Sequence, residues 1–204
     1  GKAGPYVLSL ERDQRAFSLA TAHLGAIAQR GFGERAAREM LRLRNMESIP
    51  EATESIFSAC TDDGLARIEL MRVNDALATV ESIADGTFPI THGAAFDLVF
   101  LDADKGRIMD YVDVCVENDS LLCPGGLIVV DNVLWKGLVV EASQNGFGSS
   151  AYGGHTTEKN IRKNRRSRKL ATQMHAFNAE IVVDDRVEVT MLSMRDGLSL
   201  LKKK

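Results

Sequence analysis

Apolar and polar positions follow two rhythms along this chain. Tyr6-Val7-Leu8-Ser9-Leu10-Glu11 is a short apolar run closed by an acid, and between Asp13 and Gln29 the residues Ala16, Leu19, Ala20, Leu24 and Ile27 recur at helical spacing. This predicts a strand followed by a helix. Arg67 to Val73 predicts a second strand, Asp75 to Ala84 a helix, Phe96 to Asp102 a third strand, and Gly106 to Leu121 another helix. Pro124-Gly125-Gly126 then turns into Leu127-Ile128-Val129-Val130-Asp131. These last two strands are apolar almost without interruption, the pattern of parallel strands covered on both faces. Val187 to Met194 and Leu198 to Leu201, joined through Arg195-Asp196-Gly197, predict a closing hairpin with an Asp-Gly turn. The alternation of strand and helix places the chain in the α/β class, with a doubly wound, mostly parallel sheet and a C-terminal antiparallel hairpin.

Two stretches break the rhythm. Gly31 to Asp63 is far longer than a usual connection and reads as an insertion, although Glu34 to Met46 has helical composition. Ser143 to Thr157 is rich in Gly and Ser and reads as a loop near the strand ends, either a lid or a plain surface loop.

Composition adds bounds. At 204 residues and 45% hydrophobic, the chain supports one ordinary domain, expected to span 1–204. It contains no apolar run of the roughly 18 residues that a membrane span needs, and Gly1 to Pro5 lack the order of a signal peptide. A cytoplasmic protein is the expectation. Cys60, Cys115 and Cys123 have no Cys-x-x-Cys spacing and read as packing residues of a reducing compartment. His23, His92, His155 and His175 are too scattered for a zinc site. The net charge of -3 says little, but Lys159, Arg162, Lys163, Arg165, Arg166, Arg168 and Lys169 form a basic run. Such a run is either a solvated helix face or a contact for phosphates.

The candidate chemistry lies where apolar strands end, because ligands of an open parallel sheet collect outside its strand carboxyl ends. The polar residues there are Glu11, Asp102 with Asp104 and Lys105, and Asp131 with Asn132. Singly, each such acid is more often a helix cap or turn residue. Asp102 and the Asp131-Asn132 pair, however, end consecutive strands that lie about 4.8 Å apart if adjacent, which brings three oxygen ligands together. Two carboxylates that close repel unless a cation sits between them, and an all-oxygen set selects a hard ion such as Mg²⁺ or Ca²⁺. Lys105 follows within three residues, and an ammonium beside a divalent cation is pushed toward its neutral form, making it a candidate general base. The alternative is an exposed lysine at a helix start. Glu11 suits the two hydroxyls of a ribose, a use common to several nucleotide-binding folds.

The blocks Phe96-Asp97-Leu98-Val99-Phe100-Leu101-Asp102-Ala103-Asp104-Lys105 and Pro124-Gly125-Gly126-Leu127-Ile128-Val129-Val130-Asp131-Asn132-Val133-Leu134-Trp135-Lys136-Gly137 resemble the two signature blocks of the caffeoyl-CoA and catechol O-methyltransferase family. Asp185-Arg186-Val187-Glu188-Val189 with Asp196-Gly197-Leu198 is similar to that family's last hairpin. The resemblance implies a Rossmann-like, S-adenosylmethionine-dependent and divalent-metal-dependent enzyme. It assigns Asp102, Asp131 and Asn132 to the metal, with Asp102 also facing substrate, and Lys105 to the base. Asp104 would meet the cofactor's methionine part, Glu11 its ribose, and Asp75 and Ala76 its adenine side. A catechol-like or phenylpropanoid hydroxyl is the implied acceptor, with a homodimer as the expected assembly. Lys136 stands where plant members carry an asparagine that touches substrate. The family's first strand and Gly-rich loop are expected ahead of Gly1, and in the family's sheet that strand lies between the counterparts of Tyr6–Glu11 and Phe96–Asp102. Two alternatives are a tRNA wobble-uridine methyltransferase, which the basic run would serve, and an inactive module kept for binding a partner.

Overall fold

The computed structural model describes residues 5–31, 53–60, 67–88, 95–143 and 158–204. They form two compact units, Gly1–Gly93 and Ala94–Lys204. Helical composition at Glu34 to Met46 and the Gly/Ser loop after Ser143 lie outside the described residues.

The first unit contains strand β1 (Tyr6–Glu11), helix α1 (Gln14–Gly31), strands β2 (Thr53–Cys60) and β3 (Arg67–Val73), and helix α2 (Ala76–Ala84). Its sheet has the order β1-β3-β2, with β1 parallel and β2 antiparallel to β3. Central β3 buries Leu70, Met71 and Val73. Buried Glu69 on the same strand accepts from the Tyr6 hydroxyl at 2.7 Å, so the polar group is paired. Strand β2 falls inside the stretch read from sequence as an insertion. Helix α1 corrects the sequence reading of its apolar face. Phe17 is buried, with Ala20, Thr21 and Leu24 half-buried along the same stripe, whereas Ala16 and Leu19 are exposed. The larger apolar surface of Phe17 takes the inward position, and Leu19, two residues on, is carried to the far side of the helix.

The second unit contains β4 (Phe96–Leu101), α3 (Ile108–Glu117), β5 (Leu122–Asp131), a short 3-10 turn (Trp135–Gly137), α4 (Leu138–Ser143), α5 (Glu158–Ile181), β6 (Val187–Leu192) and β7 (Leu198–Lys203). Its sheet runs β4-β5-β7-β6, parallel between β4 and β5 and antiparallel through the hairpin. The predicted α/β class and closing hairpin are both present. Among the described residues β1 and β4 are not paired with each other. Leu122 pairs with Phe96 and Leu127 with Leu98, so the Pro-Gly-Gly segment bulges out within β5 instead of preceding it. Ile128 and Val130 are fully buried, as are Met174 of α5 and Leu201 of β7. Covering on both faces does not extend to β4, the edge strand of this sheet, where Leu98 and Phe100 are exposed.

Two cations hold the lower end of the second unit. Buried Lys203 donates to the carbonyls of Cys115 and Leu122 at 3.1 and 3.0 Å and pairs with Asp119 at 2.7 Å. These bonds offset the cost of burying its charge. Cys115 beside it is in the core as expected, and burial pushes its thiol up to about 12. Arg186 gathers Asp113 at 2.6 Å, Asp184 at 2.7 Å and Glu117 at 3.2 Å, tying α3 to the entry of β6. The hydrogen bond from Arg186 holds the Asp184 carboxyl below its ordinary value of 3.8.

Arg186→Ala is expected to lower stability by about 1 kcal/mol at neutral pH, a modest figure because the guanidinium is partly exposed. A carboxyl depressed in the folded state contributes above its unfolded pKa and ceases to contribute as pH falls through its folded value. The difference between wild type and variant in urea titrations should therefore shrink as pH drops below 3.8. A difference that grows in acid would refute the assignment.

Candidate active site

In the second unit, Leu101 pairs with Val130 across the parallel β4/β5 ladder, so the next residues, Asp102 and Asp131, emerge side by side at the strand ends. Parallel neighbours are about 4.8 Å apart, which brings the backbones that carry the two acids next to each other. Lys105 joins them. Its ammonium lies 3.0 Å from Asp102 Oδ1 and donates to the Asp131 carbonyl at 3.1 Å. The lysine is only 8% exposed, while the Asp102 side chain is 60% exposed. The alternative of an exposed lysine at a helix start is thereby removed. Asp104 is occupied in the turn that delivers Lys105: its carboxylate accepts from the Gly106 N–H at 3.1 Å and faces Arg107 at 3.6 Å.

Asn132 follows Asp131 with φ +64°, and its N–H donates to Asp131 Oδ1 at 2.7 Å. This fixes one carboxylate oxygen. Trp135 and Lys136 also have positive φ, which costs L-residues roughly 1–2 kcal/mol each unless the surroundings hold them. The surroundings here come from far along the chain. The Val133 N–H donates to the Gly197 carbonyl at 3.2 Å, Leu134 N–H to Asp196 at 2.8 Å, and Asn178 Nδ2 to the Val133 carbonyl at 2.8 Å. Gly197, at φ +82°, fits tightly, since a Cβ there would lie 2.5 Å from Leu134 Cγ. Sequence reading missed Asn178 and Gly197 as supports of this turn. The Asp-Gly dipeptide signalled only a hairpin, and a polar Asn on the half-buried side of a helix was the remaining clue.

In the first unit, Glu11 ends β1 opposite Arg72 of β3, and its carboxylate accepts from the Asp13 N–H at 2.7 Å. Asp75, two residues beyond β3, caps α2 by accepting from Leu77 and Ala78 N–H groups at 3.0 and 3.3 Å, with Ala76 opening the helix. Glu11, Asp75 and Ala76 thus share the carboxyl end of one parallel strand pair, and the Asp75 carboxylate already has a structural task.

A family model described as O-methyltransferase matches residues 39–204. The chain belongs to that family. It is 34% identical over 112 residues to caffeoyl-CoA O-methyltransferase 2 of Zea mays, covering 55% of this chain and 35% of the maize protein. It is 29% identical over 134 residues to catechol O-methyltransferase domain-containing protein 1 of Mus musculus, covering 65% of this chain and 40% of the mouse protein. The chain therefore spans roughly a third to a half of the length of such curated relatives. The crystal structure of SAH-bound Podospora anserina methyltransferase PaMTH1 superposes with a TM-score of 0.58 at 20% identity, covering 98% of this chain and 61% of that one. That likeness establishes the methyltransferase fold. Among the described residues no helix is long and apolar enough to cross a membrane, and no group of three His, Cys, Asp or Glu side chains is placed to hold a metal. The ligand set read from this O-methyltransferase sequence has only two carboxylates, its third member being the amide of Asn132.

The backbone and side-chain tasks of Asn132 are separable. Asn132→Gly should keep stability near wild type, because glycine accepts positive φ, whereas Asn132→Ala should lose about 1 kcal/mol in thermal or urea unfolding. Equal losses in the two variants would show that the side chain, not the left-handed backbone, sets the stability.

Proposed function

We propose that the chain carries the catalytic centre of an S-adenosylmethionine-dependent, divalent-cation-dependent O-methyltransferase acting on a catechol-like or phenylpropanoid hydroxyl. The observation that supports this most directly is the register that ends β4 and β5 side by side at Asp102 and Asp131, with the buried Lys105 Nζ bonded to the Asp102 carboxylate and the Asp131 carbonyl. Carboxylate and amide oxygens suit a hard ion such as Mg²⁺ or Ca²⁺, and the exposed Asp102 carboxylate leaves the centre open to a ligand. Asp102, Asp131 and Asn132 would hold the cation, which would supply Lewis-acid acidification of an acceptor hydroxyl. Asp102 and Asp131 supply the negative charge that retains the ion, and Asn132 adds a neutral oxygen. Lys105, held in place by the Asp131 carbonyl, would take the hydroxyl proton as the neutral amine, or as the ammonium would donate a hydrogen bond to the oxyanion left behind.

Cofactor contacts fall to Asp104 in this reading, and to Glu11, Asp75 and Ala76 at the strand ends of the first unit. Because the Asp75 carboxylate caps α2, its share of adenine recognition comes through the backbone it fixes with Ala76. Transfer to a tRNA wobble uridine would use the same centre, and presenting a catechol and a tRNA transcript in competition separates the two acceptors. A cytoplasmic location and a homodimer accompany this proposal.

Exhaustive chelation should abolish methyl transfer to a catechol by the complete protein, and added Mg²⁺ should restore it. Asp131→Ala should reproduce the chelated state. Activity that survives both treatments would sink the cation reading.

Lys105→Ala should lower kcat by roughly 10²- to 10⁴-fold while cofactor affinity changes little, as for loss of a proton acceptor. Near-normal kcat across neutral pH would leave Lys105 as a structural brace only.

A further inference from the structure

Between Asp131 and Glu141 the chain carries one charge, that of Lys136, inside the otherwise apolar run Val133-Leu134-Trp135-Lys136-Gly137-Leu138-Val139-Val140. The backbone there is held in an unusual shape. Trp135, Lys136 and Gly137 are consecutive residues at positive φ, +39°, +59° and +77°. The Trp135 N–H donates to the Asn132 carbonyl at 3.1 Å, and the Gly137 N–H to that of Leu134 at 3.0 Å. A bond of this i to i+3 kind closes a turn whose ends lie within about 7 Å, so Trp135 starts that close to Asn132 at the candidate centre. Such strain in a tryptophan and a lysine persists only where the surroundings fix it, and it gathers at ligand clamps.

Two donors stand on this turn. Lys136 Nζ lies 5.9 Å from the centroid of the Trp135 ring, and the lysine is exposed. The Trp135 indole N–H is closed off from solvent and meets no acceptor among the described residues. Among them no carboxylate pairs with Lys136 either, although Asp196 reaches the turn through its carbonyl and Glu141 follows in α4. An indole N–H can only donate, and burial without an acceptor is costly. An exposed cation over a ring face is weakly held. One anion with two oxygens answers both groups.

We propose that Trp135 and Lys136 form a subsite for a single carboxylate on the acceptor, so that the preferred acceptor is a free aromatic acid and not its ester or amide. The ammonium leaves the ring face for one carboxylate oxygen, and the other oxygen accepts from the indole N–H. What the centre does to that acid rests on the O-methyltransferase reading, whereas the subsite is read by binding alone. A phosphate is the poorer match, because Lys136 is the one cation from Asn132 to Glu141 and a dianion calls for several charged donors. Leu134 and Leu138, both half-buried, and exposed Val140 suit the hydrocarbon body of an aromatic acid. The short step from Asn132 to Trp135 lets one small molecule place its hydroxyl at the centre and its carboxylate on the turn.

The test is isothermal titration calorimetry of the whole chain at neutral pH with caffeate and with its primary amide, which share the catechol and differ by one charge. Caffeate should bind about 10-fold more tightly, the effect of one exposed ion pair with one hydrogen bond, and the preference should shrink as salt rises. Trp135 is the one tryptophan of the chain, so its indole N–H gives a single resonance in a two-dimensional NH correlation spectrum, which caffeate should shift further than the amide does. Lys136→Met should bring caffeate down to the affinity of the amide, whereas Lys136→Arg should keep most of the preference. Both substitutions retain a Cβ at the same positive φ, so circular dichroism should show unfolding as in wild type. The subsite is overturned by absent binding of the acid, by equal affinity of wild type for acid and amide, by a preference that survives Lys136→Met or is lost in Lys136→Arg, or by an unmoved indole resonance. Methyl transfer by the complete protein is scored apart. Acid-selective binding without transfer to either compound keeps the subsite and refutes the O-methyltransferase reading, while transfer to both without selectivity keeps that reading and refutes the subsite.

Discussion

A buried ammonium organises the second unit's candidate centre. Lys105 is almost fully removed from water, and a charge so placed persists only with partners. It finds them in a carboxylate from the end of β4 and a carbonyl from the end of β5. The lysine thus ties two strand ends together and fixes the separation of the acids they carry. The turn Asp102–Gly106 is shaped to deliver it: Asp104 accepts the Gly106 N–H, and Gly106 leaves room for Gln173.

The other side of the centre is held by the closing hairpin. Strained backbone after β5 survives because the hairpin tip and Asn178 take up the hydrogen bonds of Val133 and Leu134. Gly197 lets the tip approach Leu134 where any side chain would collide. Position and strain are therefore transferred from the edge of the sheet to the residues beside Asp131. Arg186 and Lys203 secure the far end of the same hairpin against α3 and β5, which keeps the brace rigid at both ends.

Much of this was legible beforehand. Continuous apolar runs ending in acids located β4 and β5 and singled out Asp102, Asp131, Asn132 and Lys105. Parallel register then required only that the two strands be neighbours, which they are. Strand β2 was missed because Thr53–Cys60 mixes polar and apolar residues, and the Asp63-Gly64 dipeptide before its antiparallel partner β3 was not read as a hairpin signal. The face of α1 was misplaced by counting apolar residues equally when Phe17 has the most surface to bury.

Local pattern alone determined the α/β class, the order of the elements and the identity of the strand-end acids, since each depends on residues close together in the chain. Only the tertiary structure decided that Lys105 is buried rather than solvated and that the turn after Asp131 leans on Gly197 and Asn178. Those outcomes depend on partners tens of residues away. No periodicity encodes such partners; they follow from desolvation and close packing once the strands have met.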